Sequence, residues 1–126
     1  MLQAILLLNA GKAELRLGRP DEAWQRAGLA IAALRSDEGC DGSVDEDTRQ
    51  RHLCTAHWLR GSARLALHKV AAAARDVAVA EEAARTDGQR RSVAQLARSV
   101  AKAKAAERAS ARTLAKEVSK WVDSVM

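Results

Sequence analysis

One stretch of this chain is written twice. Residues 11–30, GKAELRLGRPDEAWQRAGLA, lie without a gap over residues 61–80, GSARLALHKVAAAARDVAVA. At this shift of 50 residues Gly11 falls on Gly61, Ala13 on Ala63, Leu15 on Leu65, Leu17 on Leu67, Ala23 on Ala73 and Ala30 on Ala80. A repeat of this length is one supersecondary unit, too small to bury its own apolar face, so its copies must stack. The unit itself is legible in its first copy. Gly18 ends one helix by taking the left-handed conformation, and Pro20 opens the next at a position whose N–H has no partner to lose. Asp21 and Glu22 then sit in the first turn, where the helix dipole favours negative charge. The pattern predicts two helical hairpins closed through Ala23, Ala30, Ala73 and Ala80, with Gly11 and Gly61 letting the helices approach closely. His68 stands where the second turn wants a glycine, at a cost of ~1 kcal/mol if it is left-handed.

Composition agrees with an all-α fold. Twenty-eight of the 126 residues are Ala, Pro occurs once, and three Trp are the only aromatics. Alanine-rich helices pack tightly and bury little each, which suits several thin helices in one small domain. The sequence divides into a first hairpin over 1–35, an acidic loop over 36–49, a second hairpin over 50–87 and a long basic helix over 88–126. Six acidic residues and no basic one lie between Ser36 and Thr48. That run breaks the apolar periodicity and reads as a solvated loop; it lacks the spacing of an EF-hand calcium loop. The basic charge lies elsewhere: residues 89–126 carry nine Lys/Arg against three Asp/Glu, while residues 1–88 carry twelve against thirteen. In the terminal helix Val93, Leu96 and Val100 make one apolar stripe. Leu114, Val118, Trp121, Val122 and Val125 make another, separated by the Ala- and charge-rich AKAKAAERASAR. Such a helix packs at both ends or projects through its middle.

Gly11, Gly18, Asp21, Glu22, Ala23 and Ala30, with Gly61, Ala73 and Ala80 in the second copy, resemble the tetratricopeptide repeat (TPR). The usual TPR period is 34 residues, so about 16 are inserted here. LLLNAGKAEL and TAHWLRGSA further resemble the last repeats of large immunophilins and related heat-shock co-chaperones, which end in a long basic helix. The resemblance implies an α-α superhelix acting as a protein-interaction module within a larger architecture with an isomerase domain; the residues themselves show no catalytic constellation and no cofactor motif, and the sparse cysteines point to a reducing, cytoplasmic compartment. The resemblance also implies a concave groove lined by Leu8, Asn9, Lys12 and Arg16 from the first unit and Thr55, Trp58, Leu59 and Ser62 from the second. In chaperone-binding relatives an asparagine and cations clamp the carboxylates of an acidic C-terminal peptide. Asn9 matches the asparagine, but Thr55 and Leu59 stand where two cations belong, so the clamp for a heat-shock chaperone tail is incomplete. Arg60 is adjacent but points about 100° away along the helix.

Other chemistries find little support. Cys40, His52, Cys54 and His57 match no zinc spacing, and a Cys–His nucleophile lacks an orienting third group. No glycine-rich phosphate loop is present. Two cysteines are too few for a disulfide framework, and the apolar start, MLQAILLLNAGK, is too short to span a bilayer. The basic terminal helix leaves three readings open. It caps the stack, it serves as an amphipathic docking helix, or it contacts nucleic-acid phosphates through Arg90, Arg91, Arg98, Lys102, Lys104, Arg108 and Arg112. Two hairpins fall short of the three usually needed for an independent solenoid, which favours a place in a larger architecture, or association with a partner or with a second copy.

Overall fold

The computed structural model describes residues 1–36 and 45–126 and contains five helices, with no strand among the described residues. They are α1 (Leu2–Arg16), α2 (Pro20–Ser36), α3 (Glu46–Ala66), α4 (Val70–Ala83) and α5 (Asp87–Val125). Each helix packs on the next, and α1 also touches α3, as α3 touches α5. Alternate helices therefore form two layers, α1, α3 and α5 in one and α2 and α4 in the other.

The two hairpins are built alike. In the first turn Arg19 N–H bonds to Glu14 C=O and Gly18 N–H to Leu15 C=O; in the second Lys69 bonds to Arg64 and His68 to Leu65. This paired closure needs a left-handed residue, supplied by Gly18 at φ 76° and by His68 at φ 62°. Ala23, Ala30, Ala73 and Ala80 are all fully buried, as the repeat predicts. Where α1 crosses α2, a Cβ on Gly11 would stand 3.4 Å from the Ala23 carbonyl; where α3 crosses α4, one on Gly61 would stand 3.5 Å from the Ala73 carbonyl. Side chains stand closer still, with Leu59 Cδ2 2.7 Å from the first position and Asp76 Cβ and Leu96 Cδ2 3.2 Å from the second.

A polar contact repeats as well, with its charges exchanged. Glu14 on α1 pairs with Arg26 on α2 at 2.9 Å, and fifty residues on Arg64 pairs with Asp76 at 3.0 Å. The second copy elaborates this contact. Asp76 is 1% exposed and also accepts from Arg60 Nε at 3.0 Å and from His57 Nδ1 at 3.0 Å. A carboxylate can only accept, so His57 carries its proton on Nδ1. Burial pushes the Asp76 pKa up, but the His57 and Arg60 hydrogen bonds and the charges of Arg60 and Arg64 outweigh it and hold the carboxyl below its ordinary value. Arg64 and Lys69 also flank the Trp24 ring at 5.8 and 5.3 Å, which ties α2 to the second hairpin.

Two boundaries depart from the sequence reading. Residues 37–44, most of the expected acidic loop, lie outside the described residues. Residues 46–49 are helical, because Asp45 takes the extended conformation of an N-cap and Glu46 and Asp47 favour the positive end of α3. Glu46 then accepts from Arg49 and Gln50 one turn on. The expected second hairpin therefore starts earlier, and α4 ends at Ala83. The terminal helix begins at Asp87, capped by the Thr86 hydroxyl, which accepts from Gln89 N–H at 3.1 Å.

Candidate ligand groove

The layer made by α1, α3 and α5 leaves a cleft of about 490 Å³ between its members. Three helices line it at helical spacing. α1 gives Lys12, Leu15 and Arg16; α3 gives Cys54, Thr55 and Trp58; α5 gives Gln89, Ser92 and Val93, with Thr86 and Gly88 before them. A second hollow of about 260 Å³ shares Trp58 and Ser92 and runs on past Ser62, Gln95, Leu96 and Ser99. Trp58 and Ser92 are therefore the wall common to both.

The chemistry differs from side to side. Lys12 and Arg16 bring two cations on one helix face, and among the described residues neither enters an ion pair. Lys12 and the chain's amino terminus also act on His52, whose pKa is lowered first by burial and then by these two charges. The α5 side is neutral and hydrogen-bonding. Gln89 fixes it in place: its Nε2 donates to the Arg51 carbonyl at 2.9 Å and to the Thr55 hydroxyl at 3.4 Å, while its Oε1 accepts from Arg85 N–H. Thr55 in turn donates to the Arg51 carbonyl. Between the two sides Leu15, Trp58 and Val93 supply apolar surface. Cys54 is a buried free thiol, and burial raises its pKa, so it contributes bulk there and not a nucleophile.

Against this geometry the expected groove residues separate into three groups. Lys12, Arg16, Thr55 and Trp58 line the main cleft, and Ser62 lines its extension. Asn9 is exposed on α1 outside both hollows. Leu8 and Leu59 are corrected: they are 3% and 0% exposed and belong to the core with Ala27, Ala30 and Ile31. Leu59 Cδ2 fills the space beside Gly11, so a cation at that position could not reach a ligand without emptying the core. Arg60 lies on the α4 side, engaged by Asp76 and turned from the groove. The entire α5 wall escaped the sequence reading. A signal was available in TDGQ, residues 86–89, whose Thr and Gln three apart mark a capping box at the start of α5.

Among the described residues no group of three His, Cys, Asp or Glu is placed to hold a metal. Cys40 lies outside them, Cys54 faces the core, and His57 is committed to Asp76. No helix of the described residues is long and apolar enough to cross a membrane. No protein-family model matches the chain, and comparison with curated proteins and with solved structures finds no similar one.

Proposed function

We propose that this chain is a TPR-like protein-interaction module that takes an extended peptide in the groove between α1, α3 and α5. The observation that carries the reading is the pairing of Lys12 and Arg16, cations without an ionic partner among the described residues, with an apolar floor that includes Trp58. A peptide with a carboxylate near a large apolar side chain meets both, because a carboxylate leaving water needs charge-assisted donors. Ser92 offers a hydrogen bond to its backbone from the opposite wall.

The same geometry limits one class of partner. A chaperone tail brings several carboxylates, and α3 offers them no cation: Thr55 is uncharged and Leu59 is in the core. Hydrogen bonds to charged groups are worth ~1.5–3 kcal/mol each, so two missing ones weaken a tail by a hundredfold or more.

Calorimetry with short peptides ending in an apolar residue and a free carboxylate, against the same peptides amidated, tests the reading. Micromolar binding that falls at least tenfold on amidation, and again in Lys12→Ala with Arg16→Ala, is expected. Equal affinity for both peptide forms, or no change in the double variant, overturns it.

A further inference from the structure

The apolar stripe of α5 outlasts the core that covers it. Val93, Leu96 and Val100 are buried against α3 and α4, and Ala103 still packs there. From Ala105 to Met126 every residue is exposed. At about 100° per residue, Ala111, Leu114, Val118, Trp121 and Val125 all fall within about 60° of the line through Val100. The buried stripe thus continues in register as a bare one. Leu114, Val118, Trp121 and Val125 are 65%, 51%, 65% and 63% exposed. Their alternating spacing of four, three and four residues is that of a two-helix seam.

We infer that a second copy of this chain covers the stripe, the two α5 tails pairing antiparallel through Leu114, Val118, Trp121 and Val125. Four observations carry this. First, the bare stripe lies on the side of α5 already occupied by α3 and α4, so a helix laid along it extends a layer that exists. Second, that shared side fixes the direction. A parallel partner would drive its residues 93–104 into the space held by α3 and α4. An antiparallel partner instead sets its own seam against Leu114–Val125, about 15 Å and more beyond Lys104 along the helix, and carries its body away from α3 and α4. Third, the seam is charge-compatible. Pairing Leu114 with Val125 and Val118 with Trp121 sets Ala115 beside Val122 and Glu117 beside Ser124, and no like charges meet. Fourth, the cations point elsewhere. Within the paired segment Arg112, Lys116 and Lys120 lie about 120° or more from the line through Val100, so they stay in water when the stripe is buried; Lys104 and Arg108, about 40° and 80° from that line, precede the seam. A helix lying on an anionic membrane needs its cations beside the apolar face.

The size of the contact sets its class. Trp121 offers about 150–250 Å² and the aliphatic side chains less, placing the pair near the low end of stable interfaces, about 1,200 Å² in all. A contact at that end of the range forms a concentration-dependent pair, so its association is sought across micromolar concentrations.

Sedimentation velocity on the full chain, from about 2 to 500 µM and at about 0.15 and 0.5 M salt, reads this directly. A monomer–dimer equilibrium that salt does not weaken is expected. Leu114→Glu with Val118→Glu should stay monomeric throughout with unchanged helix content, because both residues are exposed in the monomer. Orientation is read in a Cys40→Ser background by mixing an Ala115→Cys chain with a Val122→Cys chain; mixed disulfide dimers should exceed either homodimer. Monomer at every concentration, a dimer that survives the Glu substitutions, species growing beyond dimer, or preferential homodimer cross-linking would each overturn the inference. So would a monomer that instead binds phosphatidylserine vesicles or duplex DNA through the same stripe.

Discussion

Replacing Asp76 by Ala removes the acceptor on which three α3 side chains converge, and the cost can be worked out from their burial. Arg60 and Arg64 side chains are 23% and 21% exposed, so each guanidinium can turn to water when its partner goes. His57 cannot. Its side chain is 2% exposed, and among the described residues Nε2 has no hydrogen-bond partner, so without Asp76 the buried ring keeps no bond to any of them. An unsatisfied buried donor costs ~1–3 kcal/mol, and loss of a partly buried ion pair adds to it, for a total of about 2–4 kcal/mol. Breaking a fully enclosed pair costs ~3–5 kcal/mol; the ability of the two arginines to re-solvate keeps this case below that range. For a chain of this length, such a loss lowers Tm by about 8–16 °C. Thermal and urea unfolding followed by circular dichroism at pH 7 measures it. A cycle with His57→Ala should show at least about 1 kcal/mol of coupling, since the second substitution removes the group that the first strands. A loss under about 0.5 kcal/mol, or full additivity, would refute the claim that this carboxylate holds α3 to α4.

Three further outcomes follow from the same contacts. Because the Asp76 pKa is held down in the folded protein, its stabilisation is complete above the ordinary carboxylate range and is lost as pH falls through the depressed value. Urea midpoints of the unmodified chain should therefore fall more steeply below about pH 4 than those of Asp76→Ala. Gly61→Leu should destabilise by ~1–3 kcal/mol, since even a Cβ there stands 3.2 Å from both Asp76 Cβ and Leu96 Cδ2; an unchanged melting curve would dismiss the close-packing argument. His68→Gly should raise stability by about 1 kcal/mol by relieving a left-handed non-glycine residue, and a fall in Tm would mean that the imidazole does something the turn geometry does not show.

The sequence by itself determined the elements and their hairpins, because those depend on neighbours within a few positions. Gly18, Pro20 and the acids after it fix a turn locally, and an exact shift of 50 residues brings Gly61, Ala73 and Ala80 into the same roles. Helix ends shifted by a few residues for reasons equally local, such as the Asp45 cap of α3 and the Thr86 cap of α5. Packing alone sets which way each helix is rotated against the others. Leu8 and Leu59 share helices with groove residues, yet one side of α1 and α3 must fill the core, and the pattern of leucines cannot say which side that is. The α5 wall of the groove was hidden for the same reason, as its first turn faces α3 across a long separation in sequence. Asp76 is the clearest case. Read in the chain it is one acid among alanines in VAAAARDVAVA, a position for solvent. Folded, it is 1% exposed, hydrogen-bonded by His57 and paired with Arg60 and Arg64 from another helix, because a charge can be buried only where its partners are already in place. The two stripes of α5 likewise look equal in the sequence. The fold covers the first with α3 and α4 and leaves the second bare, since the core ends near Ala103 while the helix runs on to Val125.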